Sequence, residues 1–214
     1  MSQRSAPSPD FQLFPWTSQF ETGIDQIDEQ HQKLVEIVNR LAWHLSAEQD
    51  ELRAGDVVDE LLDYAGYHFS CEEAIWQQYF SGSSLEANHH KAHEYFFEQI
   101  RYYEGRRQQG EESTLADMFD FLTRWLAFHI LESDRRMALM TFSIRAGYSI
   151  EEAADEADRT LSGTTSVMVK AILEMYGKLS GSTVQLMKER AARRAAEEEL
   201  EKLRAERGRD GPDN

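Results

Sequence analysis

The chain has 214 residues, of which 41% are hydrophobic and 29% charged, with only four prolines. That is an ordinary globular balance, long enough for one sizeable domain plus an appendage. A net charge of −16 argues against a phosphate-binding surface for nucleic acid, and the single cysteine, Cys71, rules out an intrachain disulfide or a CxxC zinc site.

Residues 1–10 (MSQRSAPSPD) carry two prolines, three serines and no apolar core, so they read as a disordered tail and not as a secretory signal. No apolar run reaches the roughly 20 residues that span a bilayer. With one cysteine, these features point to a cytoplasmic protein. Residues 11–27 mix aromatics with turn formers and read as an ordered arm in which Pro15, Trp16, Phe20 and Ile24 pack against a body. A first helix is predicted from about Asp28, with Ile27, His31, Leu34, Val35, Val38, Leu41, Ala42 and Leu45 at helical spacing. A second is predicted from about Asp56 to Phe80, with Val58, Leu61, Ala65, His68, Phe69, Glu72, Ile75 and Trp76 on its inner stripe. The run Ser81-Gly82-Ser83-Ser84 breaks the chain, and Ser83 or Ser84 caps a third helix to about Arg107. Its stripe is Leu85, His89, His93, Phe96, Phe97, Ile100 and Tyr103, and Gly110 ends it. Thr114 with Asp117 signals the start of a fourth helix, with Leu115, Met118, Phe119, Leu122, Trp125, Leu126, His129 and Ile130 inward. The expected fold is all-α: an up-down-up-down four-helix bundle over residues 11–147.

From 148 the character changes. Ser149 and Glu152 form a capping box, and 164–207 read as one long helix with a weak heptad seam through Ile172, Leu179, Leu186, Arg193 and Leu200, four of the five apolar. Residues 148–207 are thus expected to form a helical linker, a dimerising coiled coil or alternatively a solvated single helix. Residues 208–214 are expected to be a disordered tail.

The informative residues are polar ones inside the apolar stripes. A lone inward histidine is usually a hydrogen-bonded core residue. Here His31, His68, His89, His93 and His129 all face inward, from all four helices. Glu72 joins them, and a buried carboxylate needs a partner or a metal. His68 and Glu72 are i,i+4, as are His89 and His93, so each pair shares a face. Five imidazoles with carboxylates exceed the needs of one tetrahedral zinc and suit two ions, with iron, zinc, copper or nickel all compatible. Asp134 is a further candidate, but it follows His129 by five residues. In a straight α-helix that spacing leaves the two about 140° apart. Asp134 would reach a shared ion from the side or through a locally widened turn; the alternative is a surface acid paired with Arg135 or Arg136. His90, next to His89, should face outward, and His44 lies near the bundle end.

The set Trp16…Gly23-Ile24…Ile27-Asp28-x-Gln30-His31-x-x-Leu34, His68-Phe69-x-x-Glu72-Glu73, His89-x-x-x-His93-x-x-Phe96 and His129-Ile130-x-x-x-Asp134 resembles the hemerythrin family, specifically bacteriohemerythrins. The resemblance covers about residues 14–140. It implies a non-haem di-iron centre with an oxo or hydroxo bridge, in which His89, His93 and His129 hold one iron, His31 and His68 hold the other, and Glu72 and Asp134 bridge. It further implies dioxygen as the ligand of the second iron's open position.

The extension, from Met175-Tyr176-Gly177-Lys178-Leu179-Ser180 through Leu186-Met187-Lys188-Glu189 to Ala196-Glu197-x-x-Leu200, resembles linkers that join hemerythrin sensors to diguanylate cyclase domains. No output domain follows, so the expectation is a short protein signalling through a partner, or a sensor-plus-linker fragment. Three functions follow: an oxygen or redox sensor acting through a helical homodimer over 164–207, an oxygen storage or delivery protein, and an enzyme-like role such as turnover of peroxide or nitric oxide, or iron handling. No positioned acid–base residue is visible beyond the ligand set, so the expectation is that the protein is not an enzyme.

Overall fold

The computed structural model describes residues 14–46, 51–111 and 114–162, together with scattered positions between 170 and 204. Among them there is no strand. The tails at 1–10 and 208–214 and the coiled-coil pairing expected over 164–207 lie outside the described residues, although each described position from 170 to 204 is helical.

The entry arm is tied down at two points. The Phe14 amide donates to Asn39 Oδ1 at 2.7 Å, and Asn39 Nδ2 donates back to the Phe14 carbonyl at 2.8 Å. Further on, Asp28 Oδ1 accepts from the amide and hydroxyl of Thr22 at 2.7 and 2.8 Å, and its Oδ2 accepts from the Gly23 amide at 3.0 Å. Gly23 sits at φ +85°, the left-handed region that suits glycine. Phe14 and Phe20 are buried, Trp16 packs partly buried against the same core, and Pro15 is exposed. The arm therefore packs through Phe14, which its sequence did not single out, as well as through Phe20 and Trp16.

Helix α1 spans Asp25–Ser46, with Asp25 and Asp28 in its first turn, where carboxylates complement the helix N-terminus. Helix α2 spans Glu51–Phe80, one turn longer at its start than the spacing predicts. Helix α3, Ser84–Gln108, is capped by the Ser83 hydroxyl, which accepts from the Glu86 amide. Gly110, at φ +81°, turns the chain into the next helix. Helix α4 runs Thr114–Phe128, and Thr114 sits inside it. The helix starts where the Thr114–Asp117 signal predicts, and the Thr114 hydroxyl donates to the Glu111 carbonyl at 2.8 Å. The rod continues without a break as a π-helical stretch over His129–Asp134 and then as α5, Arg135–Arg145.

Helices α1 and α2 pack together, α2 packs on α3, α3 on α4 and α4 back on α1, which closes the bundle. Its core runs through Leu34, Val38, Leu41, Leu61, Phe69, Phe96, Ile100, Phe119, Leu122 and Leu126. After Gly147 the chain reverses. Ser149 and Glu152 make the predicted capping box, and α6, Ile150–Leu161, lies along α5. A second apolar cluster forms there from Trp76 and Phe80 of α2, Met137, Ala138 and Met140 of α5, and Ala153 and Ala157 of α6. Arg136 fastens the pair through Asp158 at 2.7 Å. The first helix beyond residue 147 thus lies against the bundle. No described helix is long and apolar enough to cross a membrane.

Candidate metal centre

The structure brings His31, His68, Glu72, His89, His93, His129 and Asp134 together in the middle of the bundle, each at most 6% exposed. Two overlapping groups have their ligand atoms within 4.8 Å of one another: Glu72, His89, His93 and His129, and His31, His68 and Glu72. Glu72 Oε2 is common to both. It lies 3.2 Å from Nε2 of His89 and of His93, and 3.9 Å from Nε2 of His68. Asp134 closes the other side. Its Oδ1 lies 3.1 Å from His129 Nε2 and 3.4 Å from His89 Nε2, and its Oδ2 lies 3.2 Å from His31 Nε2.

Asp134 reaches the cluster because residues 129–134 are π-helical. Hydrogen bonding to the fifth residue instead of the fourth widens the turn, so a side chain five residues on returns to nearly the same face. The alternative of a surface ion pair is ruled out. Asp134 is fully buried, Arg135 donates to the Gln19 carbonyl at 3.1 Å, and Arg136 pairs with Asp158. His90 faces outward as predicted, with 54% of its side chain exposed.

Aromatic rings wall the cluster. Phe69 stacks on His93 with centroids 3.9 Å apart and planes 6° off parallel, and Trp125 stacks on His129 at 4.3 Å and 16°. Trp76 stands edge-on to His89 at 6.1 Å, and Trp16 of the entry arm lies 6.3 Å from His31. These contacts hold the imidazoles in place and keep the surroundings apolar.

Burial drives the protonation states. It lowers His31 to about 4, against the pull of Glu72 and Asp28, and His68 to about 3, against Glu72. His129 is pushed well down by burial and by the neighbouring His89 and His93. His93 goes the other way: burial lowers it, but hydrogen bonds to Glu72 and Glu73 outweigh that and raise it to about 9. Burial alone would raise Glu72, yet hydrogen bonds from His89 and His93 hold it well below the carboxylate range. Asp134 is raised well above that range by burial and by the charge of Glu72. Three neutral imidazoles and one firmly ionised carboxylate are donors ready for a cation.

Several donor atoms are also unsatisfied. Both ring nitrogens of His31, Glu72 Oε1 and both oxygens of Asp134 are buried without a hydrogen bond. An orphaned buried carboxyl oxygen is costly, and a bound cation supplies what these atoms lack. The donor set therefore fits a metal site.

Spacing does not single out two residues behind the imidazoles. Gln30 Oε1 lies 3.0 Å from His68 Nδ1, and Glu73 Oε1 lies 2.7 Å from His93 Nδ1. Both stand inside the sequence motifs, beside His31 and Glu72. Their roles depend on a neighbouring helix, which helical periodicity does not report.

An α-helical bundle with clustered imidazole and carboxylate donors in an apolar interior defines a helical metal-binding protein. The chain belongs to the hemerythrin family: the family model described as "Hemerythrin HHE cation binding domain" matches residues 22–140. Among similar proteins, a bacteriohemerythrin of Stenotrophomonas maltophilia (strain R551-3) is 33% identical over 129 residues, covering 59% of this chain and 80% of that one. A bacteriohemerythrin of Pseudomonas aeruginosa (strain LESB58) is 35% identical over 121 residues, 56% of this chain and 75% of its own. One from Clostridium acetobutylicum is 33% identical over 129 residues, 58% of this chain and 97% of its own. No solved structure matches at a significant level.

Proposed function

We propose that the protein binds dioxygen reversibly at a non-haem di-iron centre and acts as an oxygen or redox sensor through its C-terminal helices. His89, His93 and His129 would hold one iron, His31 and His68 the other, with Glu72 and Asp134 between them. The observation that carries the reading is the concentration of five imidazoles and two carboxylates, all buried, around the shared Glu72 Oε2 and the unsatisfied oxygens of Asp134. When bound, a pair of iron ions supplies an open coordination position and exchangeable electrons for dioxygen.

The chain's own residues do the rest. Imidazole ligands outnumber carboxylates five to two, which keeps the net ligand charge of a loaded centre low and suits a reduced, electron-rich pair. Gln30 and Glu73 orient His68 and His93 from behind. Phe69, Trp125, Trp76 and Trp16 exclude water, which slows proton-driven loss of a bound ligand. The seven buried groups of the cluster are all accounted for as metal donors, so the reading is of a binding protein.

Sensing is favoured over storage by the path from the site to α6. His129 and Asp134 sit in the rod that continues as α5, and α5 packs on α6. Trp76, one turn after Glu72, touches His89 and shares an apolar cluster with Ala153 and Ala157. A change in side-chain positions at the centre is thereby felt at α6, which leads into the extension. Leu186 and Leu200 on the expected seam are 55% and 47% exposed, which supports a homodimer through 164–207. A signalling partner and a cytoplasmic location complete the reading. Storage or delivery is the second reading.

Hydrogen exchange over 150–161 of the full chain, reduced without oxygen and then equilibrated with air, separates them. A sensor changes the protection of α6. A storage protein takes up oxygen with α6 unaltered.

A further inference from the structure

The two histidines with a partner behind the ring are not matched. His68 Nδ1 meets the neutral amide oxygen of Gln30 at 3.0 Å, while His93 Nδ1 meets the carboxylate of Glu73 at 2.7 Å. Glu73 is itself gripped from outside, since the same Oε1 lies 2.9 Å from His90 Nδ1. His90 is 54% exposed, Glu73 34% and His93 3%, so the three form a short line from solvent to the buried cluster. A carboxylate only accepts, so His93 must present Nδ1–H to Glu73, and only Nε2, once it gives up its own proton, is left to coordinate an ion. Nε2 is the nitrogen that faces the cluster, 3.2 Å from Glu72 Oε2. Phe69, stacked on the same ring at 3.9 Å, fixes its plane.

We propose that Glu73 is the positioning residue of the His89–His93–His129 half of the centre: it locks the tautomer and direction of His93 and lends that imidazole negative charge that His68, backed by an amide, does not receive. The inference rests on the di-iron reading above. Its consequence is an asymmetric centre. The ion held by His93 has the more electron-rich donor, so its oxidised state is favoured, while the His31–His68 half keeps a plainly neutral donor set. Partners of this kind typically change metal affinity by about 10–100-fold.

The test uses full-length wild-type protein, Glu73→Gln and Glu73→Ala, each loaded with ferrous iron without oxygen. Iron per chain, the midpoint potential of the centre and iron retention against a chelator are measured. Glu73 is partly exposed, so neither substitution disturbs the packed core and both variants should fold. E73Q is expected to hold two irons at a more positive potential, because the acceptor stays and the charge goes. E73A is expected to lose iron to the chelator about tenfold more readily. Glu73 also lines an open cleft of about 310 Å³ with Trp76, Glu86, His89 and His90, so formate has room to enter and should restore part of the retention in E73A. Wild-type potential and retention in both variants overturn the proposal alone. A wild-type chain that takes up no iron overturns the di-iron reading, and this proposal with it.

Discussion

Asp134 Oδ1 lies 3.1 Å from His129 Nε2, although five residues separate the two along one helix. The π-helical turn at 129–134 makes that contact, and it places a fully buried carboxyl where regular α-geometry would turn it aside. Such a turn forgoes regular helix hydrogen bonding to serve a site. Replacing Asp134 with Asn should therefore leave the metal-free melting temperature unchanged or raise it by a few degrees, since a buried carboxyl is removed. The same variant should bind metal at least about tenfold more weakly. Calorimetry of the metal-free protein and a metal titration check both parts.

Glu72 is the one side chain common to both donor groups. Glu72→Gln keeps its shape and removes its charge. It should cost more metal affinity than the roughly 10–100-fold typical of outer partners, with far-ultraviolet circular dichroism unchanged. Iron assay after anaerobic loading and desalting reads the loss.

The metal-free protein should be most stable in the slightly acid to neutral range. His31 and His68 take protons near 6.5 when unfolded but only near 4 and 3 when folded. The unfolded state then binds more protons, and stability falls as pH drops from 6.5 toward 4, by about 3 kcal/mol for His31 alone. His93 has the opposite sign. Its folded value of about 9 contributes stability that is full below 6.5 and is lost as pH rises through 9. Asp134, raised by burial, loses stability as pH climbs above the ordinary carboxylate range, which offsets part of the histidine gain on the acid side. Denaturation midpoints across pH 4 to 10 should fall on both sides, and a steady trend in one direction would contradict the assignment.

Most of the fold is legible in the sequence because its helices carry unbroken apolar stripes. Leu34, Leu41, Leu61, Phe96, Ile100, Phe119 and Leu122 all face the core as their 3.6-residue spacing predicts. The histidines are legible for the same reason, as polar residues on those stripes. Three features are not. The π-helical turn has no local signature, so spacing leaves Asp134 open until its motif is considered. Gln30 and Glu73 act across helices, which periodicity along one helix does not see. The docking of α6 depends on small residues, Ala153 and Ala157, that fit closely against Trp76 and Met137. Alanines on a charged helix give little hydrophobic signal, so the residues from 148 onward read as an extension and not as part of the packed body.

That docking is itself testable. Ala153 is wholly buried, and Ala153→Glu would force a charge into the second apolar cluster. Helix α6 should detach, with faster hydrogen exchange over 150–161, while α1 to α4 keep their protection. Trp76→Ala should reach further, costing about 3–5 kcal/mol and loosening His89 as well. Comparing the two variants separates the coupling helix from the site.

The most direct test of the central claim is a visible absorption record of the full chain with a parallel iron assay. The protein is reduced without oxygen, its iron is counted, and air is admitted. The account predicts two irons per chain and a visible band that appears only after air enters, fading soon afterwards to the oxidised centre if the protein is a sensor and persisting if it stores oxygen. A chain that retains no iron and develops no band would contradict the di-iron assignment itself.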